Sequence, residues 1–174
     1  MNIARVGLDH VYKWLSISVT LVVLDQWSKQ IVVNAMMLGE QIRVFSYFSW
    51  VRWHNEGAAF SLLSDAGGWQ RWFFILLAIG FVSFLTIELW RLGKKNSILH
   101  LVYALIIGGA LGNMIDRLMQ GYVVDFILLH YDRYYFPAFN IADAALSVGA
   151  ICWGLLLVKE AIYERKMRLK ERSN

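Results

Sequence analysis

Four apolar runs, each close to the length that crosses a lipid bilayer, decide what this chain can fold into. They lie at about 12–34, 69–90, 98–118 and 139–160. Roughly 20 apolar residues in a helix cross a ~30 Å hydrocarbon core. Backbone at that depth must satisfy its own hydrogen bonds, which leaves helices or closed barrels. Hydrophobic residues make up 58% of the 174 and charged ones 17%, with a mean hydropathy of +0.47. An ordinary soluble domain carries more charge than that. The sequence therefore predicts an α-helical polytopic membrane protein with four transmembrane helices, forming a single membrane-embedded domain over 1–174. No small-residue cleavage site follows the first run, so it reads as an uncleaved span.

The two longer connections, about 38–68 and 119–138, are too polar and broken to span. Ile42 to Trp53, IRVFSYFSWVRW, is rich in aromatic and β-branched residues and predicts short strands. Ala58 to Ala66 predicts a short interfacial helix. Charge sets the orientation. Eleven Lys and Arg flank the spans on the side of the termini and the 91–95 loop, against five on the other side. Both termini are thus expected in the cytoplasm. The same clustering accounts for the net charge of +4 without nucleic acid as a partner. The single cysteine, Cys152, rules out an internal disulfide framework and a multi-cysteine metal site.

Ionisable groups at membrane depth are costly and tend to mark function. Here they gather between Gly108 and Asp143, which holds Asn113, Asp116, Arg117, Asp125, Asn140 and Asp143. Under the expected orientation these fall near the outer surface, with Asn55 and with Asp25 and Lys29 of the first run. Asp25 and Lys29 stand at i, i+4, one helical face, where they can pair. Gly109, Gly112, Asn113 and Asp116 also share a face; the glycines read first as close-packing positions. N-x-x-D at Asn140 and Asp143 resembles a helix capping box. Asn55 and Gly57 predict a turn. The four histidines are scattered, His54 reads as a surface imidazole, and H-E-x-x-H is missing, so a zinc protease is not supported. G-x-S-x-G is missing too.

Asp125 and Asp143 lie 18 residues apart across an aromatic loop that can fold back and join them. Two carboxylates in one site cannot both ionise easily, and the pair holds a single proton near neutrality. That suits peptide hydrolysis: one member takes a proton from water, the other hydrogen-bonds the scissile carbonyl. Arg117, Asn113, Asn140 and Asn55 are placed to hold a peptide backbone. A proton-coupled carrier with a relay through Asp25, Lys29, Asp116, Asp125 and Asp143 is the alternative. A non-catalytic membrane scaffold is a third.

The sequence also resembles the bacterial lipoprotein signal peptidases, or signal peptidase II, over nearly its whole length. Five blocks carry the likeness in order: DQWSK (Asp25 to Lys29), NEGAAF (Asn55 to Phe60), GNMIDR (Gly112 to Arg117), VVDF (Val123 to Phe126) and FNIAD (Phe139 to Asp143). The resemblance implies that Asp125 and Asp143 are a catalytic aspartate pair. It implies that Asp25, Lys29, Asn55, Gly57, Asn113, Asp116, Arg117 and Asn140 bind substrate or support the site. The implied activity is removal of signal peptides from diacylglyceryl-modified prolipoproteins, with cleavage before the lipidated cysteine. Implied partners are that precursor, membrane lipids and a globomycin-type inhibitor, with no metal or organic cofactor. The expected setting is the bacterial inner membrane, with the active site near the periplasmic face and the chain a monomer. The resemblance also implies a small periplasmic β-strand cradle, and the aromatic region of Trp50, Trp53 and Phe60, with Tyr131 to Phe139, would then close over the substrate.

Overall fold

A computed structural model describes residues 3–57, 68–93 and 97–173. Four long helices are present: α1 (Ile3–Ala35), α2 (Trp69–Arg91), α3 (Ser97–Met119) and α4 (Ile141–Ser173). Of these, α2, α3 and α4 are long and apolar enough to cross a membrane. The first helix is 33 residues long, but Asp25 and Lys29 interrupt its apolar run. The interfacial helix expected over Ala58 to Ala66, and Phe60 with it, lie outside the described residues.

The third helix is the hub. Of its most apolar stretch, 56% is buried, against 17% in α2 and 17% in α4. The outer helices turn large side chains such as Leu76, Ile151 and Leu155 outward, as a lipid-facing surface requires. Glycines set how closely α3 meets its neighbours. A Cβ on Gly109 would collide with the Ala142 carbonyl and lie 2.8 Å from Leu146. One on Gly112 would lie 2.8 Å from the Asp25 carboxylate. In lipid no hydrophobic force drives helices together, so close backbone approach is what dispersion contacts need. Here the approach brings α4 and Asp25 onto the face of α3 that carries Asn113 and Asp116.

The strands form one antiparallel run, β1 (Gln41–Phe45), β2 (Phe48–Asn55), β3 (Val123–Tyr131) and β4 (Tyr134–Tyr135), in that order. Ser49, Val51, Val124, Leu128 and His130 are buried, while Ile42, Trp50, Leu129 and Tyr131 alternate outward. Phe126 packs on Val32 and Met36 at the end of α1. Arg52 Nη1 donates to the Val33 and Met36 carbonyls at 3.0 and 2.8 Å, filling acceptors that the end of a helix leaves open. The sheet is thereby fixed to one end of the bundle. A register shift between Trp50 and Trp53 interrupts the β2–β3 pairing and sets Trp53 opposite Asp125.

Two expectations about histidine fail. His54 is half-buried and stacks on Tyr122, with ring centroids 3.6 Å apart. His10 and His100 are not scattered: their Nε2 atoms lie 3.0 Å apart, bridging α1 and α3. A separation of 90 positions along the chain hid that contact.

Candidate active site

Two elements bring the aspartates together. After β4 the chain returns along β3: the Phe126 and Ile127 N–H groups donate to the Phe139 carbonyl, and Phe139 N–H donates to Ile127. This backbone pairing sets Asn140, the residue before α4, beside Asp125. Asn140 Nδ2 donates to Asp125 Oδ1 at 2.8 Å and to the Val124 carbonyl at 3.3 Å. The same residue caps α4. Its Oδ1 accepts Asp143 N–H at 2.9 Å while its own N–H donates to Asp143 Oδ2 at 3.2 Å. That is the reciprocal capping box which the N-x-x-D spacing predicts. One asparagine therefore contacts both carboxylates.

Each carboxylate has one further donor. Asn55 Nδ2 reaches Asp125 Oδ2 at 3.0 Å, and Asn55 Oδ1 accepts Gly57 N–H at 3.1 Å, which fixes the amide's direction. Asn113 Nδ2 reaches Asp143 Oδ1 at 2.7 Å. Among the described residues, each of the four carboxylate oxygens thus accepts one N–H, and none is in contact with a cation. Burial is the main cause that pushes Asp125 up from 3.8 to about 7; the Asp143 carboxylate adds to it, and the Asn55 and Asn140 hydrogen bonds oppose it. Desolvation disfavours the ionised form, and a like charge beside it does the same.

Asp25, Lys29 and Asp116 form a separate buried cluster between α1 and α3. Lys29 Nζ lies 2.7 Å from Asp25 Oδ2, 2.8 Å from Asp116 Oδ2 and 3.2 Å from Asn113 Oδ1. Asp25 Oδ1 accepts the Ala142 N–H at 2.9 Å, in the first turn of α4. Asp116 Oδ2 accepts the Val124 N–H at 3.2 Å, next to Asp125. These two acids therefore tie down the helix and the strand that carry the aspartate pair. The motif reading missed Gln26, whose Nε2 donates to Asp116 Oδ1 at 2.8 Å and to the Gly112 carbonyl at 3.2 Å. It lies inside the DQWSK block, but i, i+4 counting from Asp25 passes over it.

Beside the pair a cavity of about 480 Å³ opens among α2, α3 and α4. Its polar end holds Asn55, Gly57, Asn113, Arg117 and Asp143; Phe74, Leu77, Phe81, Ile106, Leu146 and Trp153 make it apolar beyond. Asp125 does not line it and reaches its edge through Asn55. Arg117 lies over the Phe74 ring at 4.8 Å and donates from Nη2 to the Gly57 carbonyl at 2.8 Å. Asp25, Lys29, Asp116 and Asn140 also lie off the cavity wall.

The family described as Signal peptidase (SPase) II matches residues 17–159. A lipoprotein signal peptidase of Acinetobacter baumannii (strain SDF) is 48% identical over 172 residues, covering 96% of this chain and 95% of that protein. One from Pseudomonas syringae pv. tomato is 49% identical over 148 residues, covering 84% and 86%. A bacterial membrane enzyme solved in meso at 2.3 Å superposes with a TM-score of 0.76 at 33% identity, over 86% of this chain and 89% of that one. The match spans the buried cluster, the sheet and both aspartates together, and on it the chain is a member of the signal peptidase II family.

Proposed function

We propose that this protein is a membrane-embedded aspartic endopeptidase that removes signal peptides from diacylglyceryl-modified prolipoproteins, cutting before the lipidated cysteine. The observation that carries the reading is the sharing of Asn140 by Asp125 and Asp143 beside an apolar cavity. The two carboxylates hold one proton between them. The ionised member takes a proton from water as its oxygen attacks the scissile carbonyl; the protonated member hydrogen-bonds the carbonyl oxygen. Asn55, Gly57, Asn113 and Arg117 line the polar end of the cavity and hold the peptide backbone. Asp25, Lys29, Asp116 and Asn140 support them. The apolar end, from Phe74 to Trp153, receives the acyl chains.

The chain acts as a single domain with four spans, α1 included, in the bacterial inner membrane. Both termini are cytoplasmic and the pair lies near the periplasmic face, in line with the basic flanks. It works as a monomer, and a globomycin-type cyclic peptide blocks the cavity. Converting either Asp125 or Asp143 to Asn should abolish processing of a lipid-modified precursor by purified, membrane-inserted protein. Full activity in either variant would end the assignment.

A further inference from the structure

Hydrogen-bond directions distinguish the two aspartates. Lys29 Nζ carries donors only. Its 3.2 Å contact with Asn113 Oδ1 therefore turns the amide oxygen toward α1 and the amide nitrogen toward α4. From there Nδ2 donates to Asp143 at 2.7 Å. A reversed amide would set NH2 against the ammonium and oxygen against the carboxylate. The second Asp143 oxygen accepts the backbone N–H of Asn140, the residue before α4, and Asp143 itself lies in the first turn, where helical N–H groups concentrate positive potential. Asp125 sits on a strand, with no helix terminus, and its donors are two side-chain amides. The charged groups facing the pair are Asp25 and Lys29 from α1, and Asp116 and Arg117 from α3.

The geometry points to Lys29 as a positioning residue that acts through Asn113, keeping Asp143 as the carboxylate that activates water and leaving the shared proton on Asp125. The inference rests on the catalytic pair proposed above and divides its roles. As the water oxygen bonds to the scissile carbon, Asp143 takes the water proton and Asp125 gives its own to the carbonyl oxygen. When the C–N bond breaks, Asp143 returns a proton to the amine nitrogen. The diol returns one to Asp125, which restores the starting state.

The test follows kcat/KM against pH for cleavage of a lipid-modified precursor by the full chain in detergent. Asn113→Ala removes the amide and keeps the cation between its two acids. Lys29→Met with Asp116→Asn removes one positive and one negative charge together. Both should displace the acid limb of the profile upward by about one pH unit, a tenfold loss on the acid side. Asp116→Asn alone should keep the original limb. An undisplaced limb in Asn113→Ala overturns the proposal, and so does a loss uniform across pH, which plain packing damage would produce. If the double variant does not fold, Asn113→Ala decides. Infrared spectra in mildly acidic buffer give a second readout. The carboxylic acid C=O band should vanish in Asp125→Asn and persist in Asp143→Asn, and the reverse pattern overturns the proton's placement. Normal cleavage by both Asp→Asn variants would instead mean that the catalytic pair itself is wrong.

Discussion

Two groups of buried acids lie side by side in this molecule, and their partners differ. Asp25 and Asp116 share an ammonium, Lys29, within 2.8 Å of each. Asp125 and Asp143 share Asn140, and among the described residues the other direct donors are also amides, Asn55 on Asp125 and Asn113 on Asp143. Burial does not sort them, since Asp125 is as buried as Asp25 and Asp116, all at most 3% exposed, while its partner Asp143 is half-buried. Desolvation therefore does not separate them; the sign of the neighbour does. A carboxylate facing a cation has its lone pairs spent on the fold. A carboxylate facing another carboxylate keeps room for a proton, and that proton can do chemistry. Burial of charge alone would not have told the two groups apart.

The sharpest way to break this contrast is at the amide-held pair. Asp125→Asn or Asp143→Asn should lower precursor processing by at least about a thousandfold, within the range a positioned acid or base supplies, while membrane insertion is unchanged. Next is the cation-held group. Lys29→Met leaves two acids buried without their partner and should cost about 3–5 kcal/mol of stability, read as a lower unfolding temperature in detergent. If Lys29→Met unfolds no more easily than Asp125→Asn, the distinction fails.

A smaller effect comes from pH. Asp125 is raised from 3.8 to about 7 in the fold, so its ionisation is disfavoured there. The stability it contributes is complete below about 3.8 and is lost as pH rises through about 7. The thermal unfolding temperature should fall between about pH 4 and about pH 7 for the native chain and stay flatter for Asp125→Asn. The smallest effect marks the surface limit: Arg168 and Glu164 meet at 3.6 Å on the exposed tail of α4. Arg168→Ala should leave the unfolding temperature unchanged, because exposed pairs contribute little.

What could be seen in the chain without coordinates was local. Apolar runs of spanning length predicted helices because the helical rise is constant. The Asp25–Lys29 pair and the Asn140–Asp143 capping box followed from spacings of four and three, at which helix geometry alone makes side chains meet. Strands over Ile42 to Trp53 followed from side-chain shape, though the register shift opposite Asp125 did not. Tertiary packing decided everything that separates support from chemistry. Asp25 capping Ala142 spans 117 residues, Gln26 on Asp116 spans 90, and Asn55 on Asp125 spans 70. No spacing rule reaches that far. Such contacts exist because Gly109 and Gly112 let α4 and α1 close on α3, and because Phe139 pairs back onto β3. Sequence determined which acids the chain holds and which helices carry them; packing determined which acid received the lysine and which received another acid.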